Sequence, residues 1–436
     1  MGYDIIIGRD EADKKAFGDR GLIYLGKGYV KMGQYTSLSN KIFMDVARSH
    51  VVLVAGKRGS GKSYTLGVIA EGLSNLPKEA SENIASLIFD TMGIYWTMKY
   101  KNEKDRDLLR EWNLKSQHLP VKVFVPFGYY DSYTEKSIPA DEKFALDPSE
   151  LAPEDWIITF NLNIIDPVAV LIERKTSSLR EKGFFSIKDI IKEIEEDKKT
   201  AQDVKNAAAA LFEAAETWGV FAKTKKDSTK IDSLINAGET TVLDLSVYNS
   251  VGAFNIRALI IGLLSRKIFN QRMDARKTEE VEAVSKGLSF VSSQGKKDYP
   301  LTWIFIDEAH EFLPQQGKTA ATEALVQLLR EGRQPGISLV LATQQPGQIH
   351  GDVMTQSDIV ISHRVTSSQD LESLNKIMQS YLLESVKRYM DELPSLKGSA
   401  IILDDNSERI YPMRMHPRFT WHGGEAPTAI KTDKKL

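Results

Sequence analysis

The chain contains no cysteine. That absence excludes disulfides and thiolate metal sites, and it fits a reducing compartment. A surplus of either charge is missing too: 57 Lys and Arg stand against 59 Asp and Glu, a formal net charge of −2. No overall basic field points to nucleic acid or to an anionic membrane, so a polyanion site has to be a local patch or one completed on assembly. Long apolar runs are also lacking. Ala258 to Leu264, with Gly262 counted, is seven residues, whereas a membrane-spanning helix needs roughly 20. The opening MGYDIIIGRDEADKK has no signal-peptide architecture, and the expected location is the cytoplasm. What remains is an ordinary globular composition, 42% hydrophobic and 27% charged over 436 residues, enough for two or three units with a sizeable core.

Short apolar runs recur between Gly and Pro punctuation. "SLIFD", "VKVFV", "TVLDL", "TWIFID", "SLVLAT" and "DIVIS" read as strands covered on both faces. Helical patterns lie between several of them. Leu66, Ile69, Ala70 and Leu73 share one face, as do Ala321, Ala324, Leu325, Leu328 and Leu329. Strands alternating with helices imply a mostly parallel, doubly wound α/β sheet. From about 129 to 235 this rhythm breaks. Ile187, Ile190, Ile191 and Ile194 line one helical face, and Val204, Ala208, Leu211, Phe212, Ala215 and Trp218 line another, so the stretch reads as a helical insertion.

The sharpest motif is Gly56-Lys57-Arg58-Gly59-Ser60-Gly61-Lys62-Ser63, with Tyr64 next. It fits G-x-x-x-x-G-K-S with an apolar run before it and a helical pattern after it, the context a phosphate loop requires. Glycines let the backbone curl so that successive N–H groups face one phosphate, and the helix N-terminus adds its positive dipole end. Lys62 is expected to reach the β- and γ-phosphates of ATP, and the Ser63 hydroxyl to coordinate Mg²⁺.

A second apolar run, Trp303-Ile304-Phe305-Ile306, ends in Asp307-Glu308. In a sheet of this class the acids fall at the C-terminal end of a strand, beside the phosphate loop. Asp307 is expected to hold Mg²⁺ and Glu308 to orient and deprotonate the attacking water. The letters Asp307-Glu308-Ala309-His310 spell the DEAH box of tandem-core helicases, but the spacing excludes that reading. Asp307 lies 307 − 62 = 245 residues after Lys62, and the chain beyond the box continues the same sheet with no room for a second core. His310 either couples the site to DNA or is simply a hydrogen-bonded residue of the adjoining turn.

Beyond the box, "LLREGRQPGISLVLATQQP" supplies Arg330, Arg333 and a strand ending in Thr343-Gln344, and "DIVISHR" places Arg364 at a further strand end. Gln344 suits a γ-phosphate sensor. Arg333 and Arg364 suit arginine fingers supplied across a subunit boundary; the plain alternative for each is a surface ion pair, and for Arg330 the two stand level.

The runs "HVVLVAGKRGSGKS", "LIFDTMGIY", "IFIDEAHEFLP", "EGRQPGISLVLATQQP" and "HPRFTWHGG" together resemble the HerA-type ATPases of the HerA/FtsK superfamily, in five motifs of the same order. The resemblance implies a RecA-like P-loop ATPase core, a homohexameric ring with ATP between neighbours, and double-stranded DNA as the track. In cellular members it also implies a NurA-type nuclease partner in DNA end processing and repair. It assigns Arg333 as the favoured trans finger, places Asp90 near the site, and gives "WHGG" to a tail bracing the adjacent subunit. Members usually carry a barrel domain before the phosphate loop, whereas here the loop begins at Gly56. This short form leaves plasmid, viral, defence-system and DNA-transfer versions as alternatives. Gln345 stands where an arginine is frequent.

The expected organisation is a small β-rich segment over 1–48, the core over 49–128 and 236–415, the mainly helical insertion over 129–235, and the tail over 416–436. Lys99, Lys101, Lys296 and Lys297 are pore-loop candidates that sixfold repetition would turn into a ring of charge; equally they are solvated loop lysines. A second functional class stays open: an ATP-gated assembly or transfer motor for a secretion, conjugation-like or defence system, with DNA not the track.

Overall fold

The computed structural model describes residues 3–32, 35–249, 254–286, 297–365, 367–377 and 383–425. Its strands are β1 (Ile5–Ile7), β2 (Leu22–Met32), β3 (Tyr35–Asp45), β4 (Val51–Ala55), β5 (Ile84–Asp90), β6 (Lys122–Pro126), β7 (Glu142–Phe144), β8 (Thr240–Asp244), β9 (Leu301–Ile306), β10 (Ile337–Thr343), β11 (Ile359–His363), β12 (Ser399–Asp404) and β13 (Arg409–Met415). They form one sheet in the order β1-β3-β2-β13-β12-β11-β4-β10-β9-β5-β8-β6-β7. From β11 through β7 every neighbouring pair is parallel. The N-terminal hairpin β2–β3 reaches this block through the antiparallel strands β13 and β12.

All of the central strands are apolar because both faces are covered. Along β4, β9 and β10 alternate residues enter different cores. Leu53, Ile304, Ile306, Leu339 and Leu341 face one side, while Val52, Val54, Trp303, Phe305, Val340 and Ala342 face the other. The second side is closed by the helix Lys62–Ser74 through Leu66, Ile69, Ala70 and Leu73. The first is closed by the long helix Phe254–Lys286 through Leu259, Ile260 and Leu263, and by Leu325 and Leu328 of the helix Thr322–Glu331. Each fully buried Leu or Ile contributes about 1.5–3 kcal/mol of transfer free energy, which is why the two apolar layers fix the register of the sheet.

Between β6 and β8 the chain runs through helices at Pro153–Thr159, Pro167–Lys182, Ile187–Glu195 and Gln202–Glu216. They share the first core rather than forming a separate one: Trp156, fully buried, meets Phe212 edge-on at 5.1 Å and Phe160 at 5.8 Å. Within the same stretch the short strand β7 joins the sheet as its outer edge, beside β6; three residues are too few to carry a periodic signal. No helix among the described residues is long and apolar enough to cross a membrane.

Candidate nucleotide site

The parallel block places its C-terminal strand ends along one edge, and the phosphate-loop residues emerge there from β4. Gly56, Gly59 and Gly61 have φ of 157°, 74° and 115°, and Gly61 caps the helix that begins at Lys62. A Cβ on Gly56 would meet Ser60 Oγ at 2.4 Å and His363 Cβ at 2.8 Å, and at Gly61 the positive φ itself disfavours a side chain. The loop is pinned from below by Gly56 N–H donating to the Thr343 carbonyl (3.3 Å) and Lys57 N–H to the Arg364 carbonyl (3.2 Å). Lys62 is buried, while Lys57, Arg58 and Gly59 are exposed. Ser60 Oγ is buried without a protein partner. A glycine cradle with an orphaned hydroxyl and a buried cation fits a bound phosphate chain.

Ser63 donates from Oγ to Asp307 Oδ2 at 2.5 Å, closing the gap between the loop helix and the turn after β9. Among the described residues no cluster of three or more His, Asp or Glu forms a metal cage. The Ser63–Asp307 oxygen pair nevertheless suits Mg²⁺, which accepts one or two protein ligands beside water and phosphate oxygens.

Glu308 adopts φ 51° and ψ 43°, left-handed for a residue with a Cβ, a conformation that costs of order 1–3 kcal/mol and persists only where the surroundings enforce it. Its amide donates to Asp307 Oδ1 at 2.9 Å. Burial, then the Asp307 charge, push the Glu308 carboxyl up to about 7, against the pull of Lys62. Its Oε2 is buried with no hydrogen-bond partner. A carboxyl poised near neutrality with one oxygen free of hydrogen bonds is suited to accept a proton from water. Gln344 comes directly after β10, half-buried, and its backbone hydrogen bond to Glu308 works against the upward shift. His310 Nδ1 lies 3.2 Å from Thr343 Oγ1; burial and Lys62 lower its pKa, so the ring is neutral and braces the turn.

His363 is fully buried under the loop at the end of β11. Nδ1–H donates to the Ser399 carbonyl (3.0 Å) and Nε2 accepts from Thr65 Oγ1 (2.8 Å), with burial holding its pKa down to about 4. Its only trace in the sequence is a polar residue closing an apolar strand. Asp90 ends β5 in register with Asp244 of β8, and both are buried with raised pKa values, through desolvation and, for Asp90, the adjacent Asp244. Asp90 accepts from the amides of Met92, Gly93 and Tyr95, and Tyr95 Oη donates to the Ser63 carbonyl at 3.3 Å. Asp90 thus shapes a loop that leans on the phosphate loop.

The arginines do not converge on this site. Arg364 turns to Ser395 Oγ (3.1 Å) and the Leu393 carbonyl (3.4 Å), Arg330 pairs with Asp352 at 2.7 Å, and Arg333 is exposed before the N-terminal end of β10. Seven strand residues at about 3.3 Å each put it roughly 23 Å below the loop edge. Lys99 pairs with Asp141 and Lys297 with Glu279; Lys101 is exposed, bridged through its backbone to Thr420. Lys296 lies outside the described residues.

The tail motif "HPRFTWHGG" holds Arg418, whose role its letters do not reveal. Arg418 is fully buried, donates from Nε to Glu71 Oε1 on the loop helix at 2.8 Å, and its amide donates to Tyr64 Oη at 2.6 Å. Phe419 N–H adds a bond to Glu71 Oε2 at 2.8 Å. Residues 418–421 are thereby laid between the loop helix and the 97–102 segment of their own chain, with Asn102 N–H donating to the Phe419 carbonyl and Trp421 N–H to the Tyr100 carbonyl.

Comparison with known proteins agrees with this geometry. A family profile described as "Helicase HerA, central domain" matches residues 30–268, more than half of the chain, and one described as "Zonular occludens toxin (Zot)" matches residues 253–369. The chain is 25% identical over 191 residues to the probable DNA double-strand break repair helicase HerA of Methanocaldococcus jannaschii, covering 40% of this chain and 37% of that protein. It is 26% identical over 187 residues to the DNA double-strand break repair helicase HerA of Pyrococcus furiosus, covering 40% and 32%. The match thus spans about a third of each of these relatives. A probable helicase of M. jannaschii is 23% identical over 406 residues, 92% of this chain and 68% of that protein. In fold, the chain resembles VirB4 of Thermoanaerobacter pseudethanolicus, with a TM-score of 0.55 and 10% identity over 90% of this chain and 96% of that one. It also resembles the bacterial conjugative coupling protein TrwB, with a TM-score of 0.52 and 12% identity over 88% and 90%.

Proposed function

Because the chain belongs to the HerA central-domain family, we propose that it is an ATP-driven motor on double-stranded DNA, with the catalytic edge of the parallel block as its hydrolytic site. The observation that carries this is the joint between Ser63 and Asp307 beside a left-handed Glu308 whose Oε2 is buried without a hydrogen bond. In this reading the loop amides and Lys62 bind the phosphates of ATP. Ser63 and Asp307 hold Mg²⁺, which when bound neutralises charge on the phosphate oxygens. Glu308 orients a water and takes its proton, and Gln344, fixed to Glu308 through its backbone, senses the γ-phosphate.

Arg333, remote from its own site, acts in trans on a neighbour in a homohexamer, and Arg364 lines the subunit boundary. The HerA relatives are described as double-strand break repair helicases, which supports a role in DNA repair; we extend this to DNA end processing with a NurA-type nuclease partner in the cytoplasm. The division into β-rich segment, core, insertion and tail is part of the same proposal. The ion-paired state of Lys99 and Lys297 favours a second reading, an assembly or transfer motor whose track is not DNA.

ATPase rates with linear duplex, with single strands and without DNA separate the two, with Glu308→Gln as the blank. Stimulation by duplex well above single strands supports the DNA motor. A rate indifferent to DNA removes it in favour of the second reading, and a rate equal to the blank removes both.

A further inference from the structure

Three strand ends meet at the catalytic edge in the sheet order β9, β5, β8, and one buried arginine touches the segments leaving β9 and β8 and reaches the one leaving β5 through Asn249. Arg257 lies in the first turn of the long helix Phe254–Lys286 and is 8% exposed. Its Nη1 donates to Asn249 Oδ1 at 2.8 Å, and Asn249 in turn donates from Nδ2 to the Thr91 carbonyl at 2.9 Å, just past Asp90. On the other side, Arg257 Nη2 stands 3.1 Å from Glu311 Oε2, an ion pair by distance without hydrogen-bond alignment. The guanidinium also lies over the Phe312 ring at 5.8 Å. Glu311 and Phe312 close the single 3-10 turn Ala309–Glu311, whose N-cap is the left-handed Glu308.

We propose that Arg257 is a positioning residue for hydrolysis: by holding Glu311 and Phe312 against the β5 and β8 loops, it enforces the left-handed backbone that aims the Glu308 carboxylate. This rests on the hydrolytic reading of the site. The turn's backbone bonds run from Glu311 to Glu308 and from Phe312 and Leu313 to Ala309, and Thr319 and Thr322 hold the Phe312 carbonyl from one side. The left-handed Glu308 persists only where its surroundings enforce it, and Arg257 adds a clamp from the other side. A buried arginine with planar, multidentate donors provides that clamp, and lysine, with one point charge, does so only in part. Nucleotide binding needs none of this, since the loop amides and Lys62 stand on β4 and the loop helix.

The test uses the full chain with Arg257→Gln, Arg257→Lys, Glu311→Gln and the double variant Arg257→Gln/Glu311→Gln. Hydrogen exchange of the amides in 307–313 reports the turn directly and needs no turnover. It should accelerate in Arg257→Gln and recover partly in Arg257→Lys. In steady state, Arg257→Gln should lose roughly 10- to 100-fold in kcat, the scale of a misplaced catalytic group, with KM for ATP and the affinity for fluorescent ADP within about twofold of the parent. Glu311→Gln should fall in the same direction, and the double variant no further than Arg257→Gln alone. Unchanged exchange in 307–313 overturns the proposal, as do an unchanged kcat, a loss of ADP affinity matching the loss of rate, or losses that multiply. A parent without ATPase activity sinks the hydrolytic reading, while the exchange measurement still decides the role of Arg257.

Discussion

At the residue scale, Glu308 combines a strained backbone, a raised pKa and an unpartnered oxygen, and each is a reason to assign it the proton transfer. Glu308→Gln keeps shape and removes basicity. It should bind ATP as tightly as the parent while hydrolysis drops roughly 10²–10⁴-fold, the range of general-base contributions; single-turnover chemical quench measures it, and brisk turnover would take Glu308 out of that role. Gly67 on the loop helix carries a different expectation. A Cβ there would meet the Arg418 guanidinium at 2.5 Å, so Gly67→Ala should destabilise by about 1–3 kcal/mol through overpacking, read as a lower urea midpoint, despite alanine's better helix propensity.

At the element scale, the sequence disclosed whatever obeys a local rule. The apolar runs at β4, β5, β6, β8, β9, β10 and β11 were visible because covered strands read as continuous hydrophobic letters, and the glycines of the phosphate loop because the turn demands them. Other features depend on partners far along the chain. Asp90 looked like a site acid, but whether its carboxylate faces a ligand or three amides depends on the turn at Met92 to Tyr95. His363 is conspicuous only once Thr65 and Ser399 are known to flank it. Arg257 was a lone charge ahead of an apolar helical run, with nothing to say that Glu311 stood opposite. The Glu71–Arg418 pair joins the loop helix to the tail with both side chains essentially unexposed. Removing one partner leaves a buried charge, so Arg418→Met should cost about 3–5 kcal/mol and Glu71→Met/Arg418→Met markedly less. Chemical denaturation of the two variants checks this, and equal losses would mean that the tail contributes through packing instead.

At the scale of the whole molecule, the N-terminal hairpin is fastened to the parallel block by charge as well as by strand pairing. His50, at the foot of β4, sits between Asp358 (Nδ1 to Oδ2, 2.6 Å) and Asp45 at the end of β3 (Nε2 to Oδ2, 3.1 Å), and Arg9 bonds the same Asp45. Burial opposes the charged ring, but the two carboxylates outweigh it and raise its pKa from 6.5 to about 9. A folded-state value above the unfolded one means that the protonated ring stabilises the fold. That contribution is complete below the unfolded value of 6.5 and is lost as pH rises through about 9. Urea midpoints should fall across this window, and His50→Gln should flatten that fall while lowering stability at neutral pH. Assembly has its own test. Arg333→Ala should lose hydrolysis and keep nucleotide binding, and mixing it with Lys62→Ala should restore part of the activity if the finger acts across a boundary; no rescue at any ratio would place Arg333 in its own subunit's service or in none.

The strap across the loop helix also bears on how the protein comes into being. Glu71 and Arg418 are separated by 347 positions, and at about 5–20 residues per second a ribosome needs roughly 17 to 70 s to pass from one to the other. Throughout that interval the nascent chain carries a carboxylate meant for a dry interior, on the same helix that begins with Lys62. The loop helix therefore gains its buried ion pair only after the segment around Arg418 has been made, so the carboxylate of Glu71 stays in water until then.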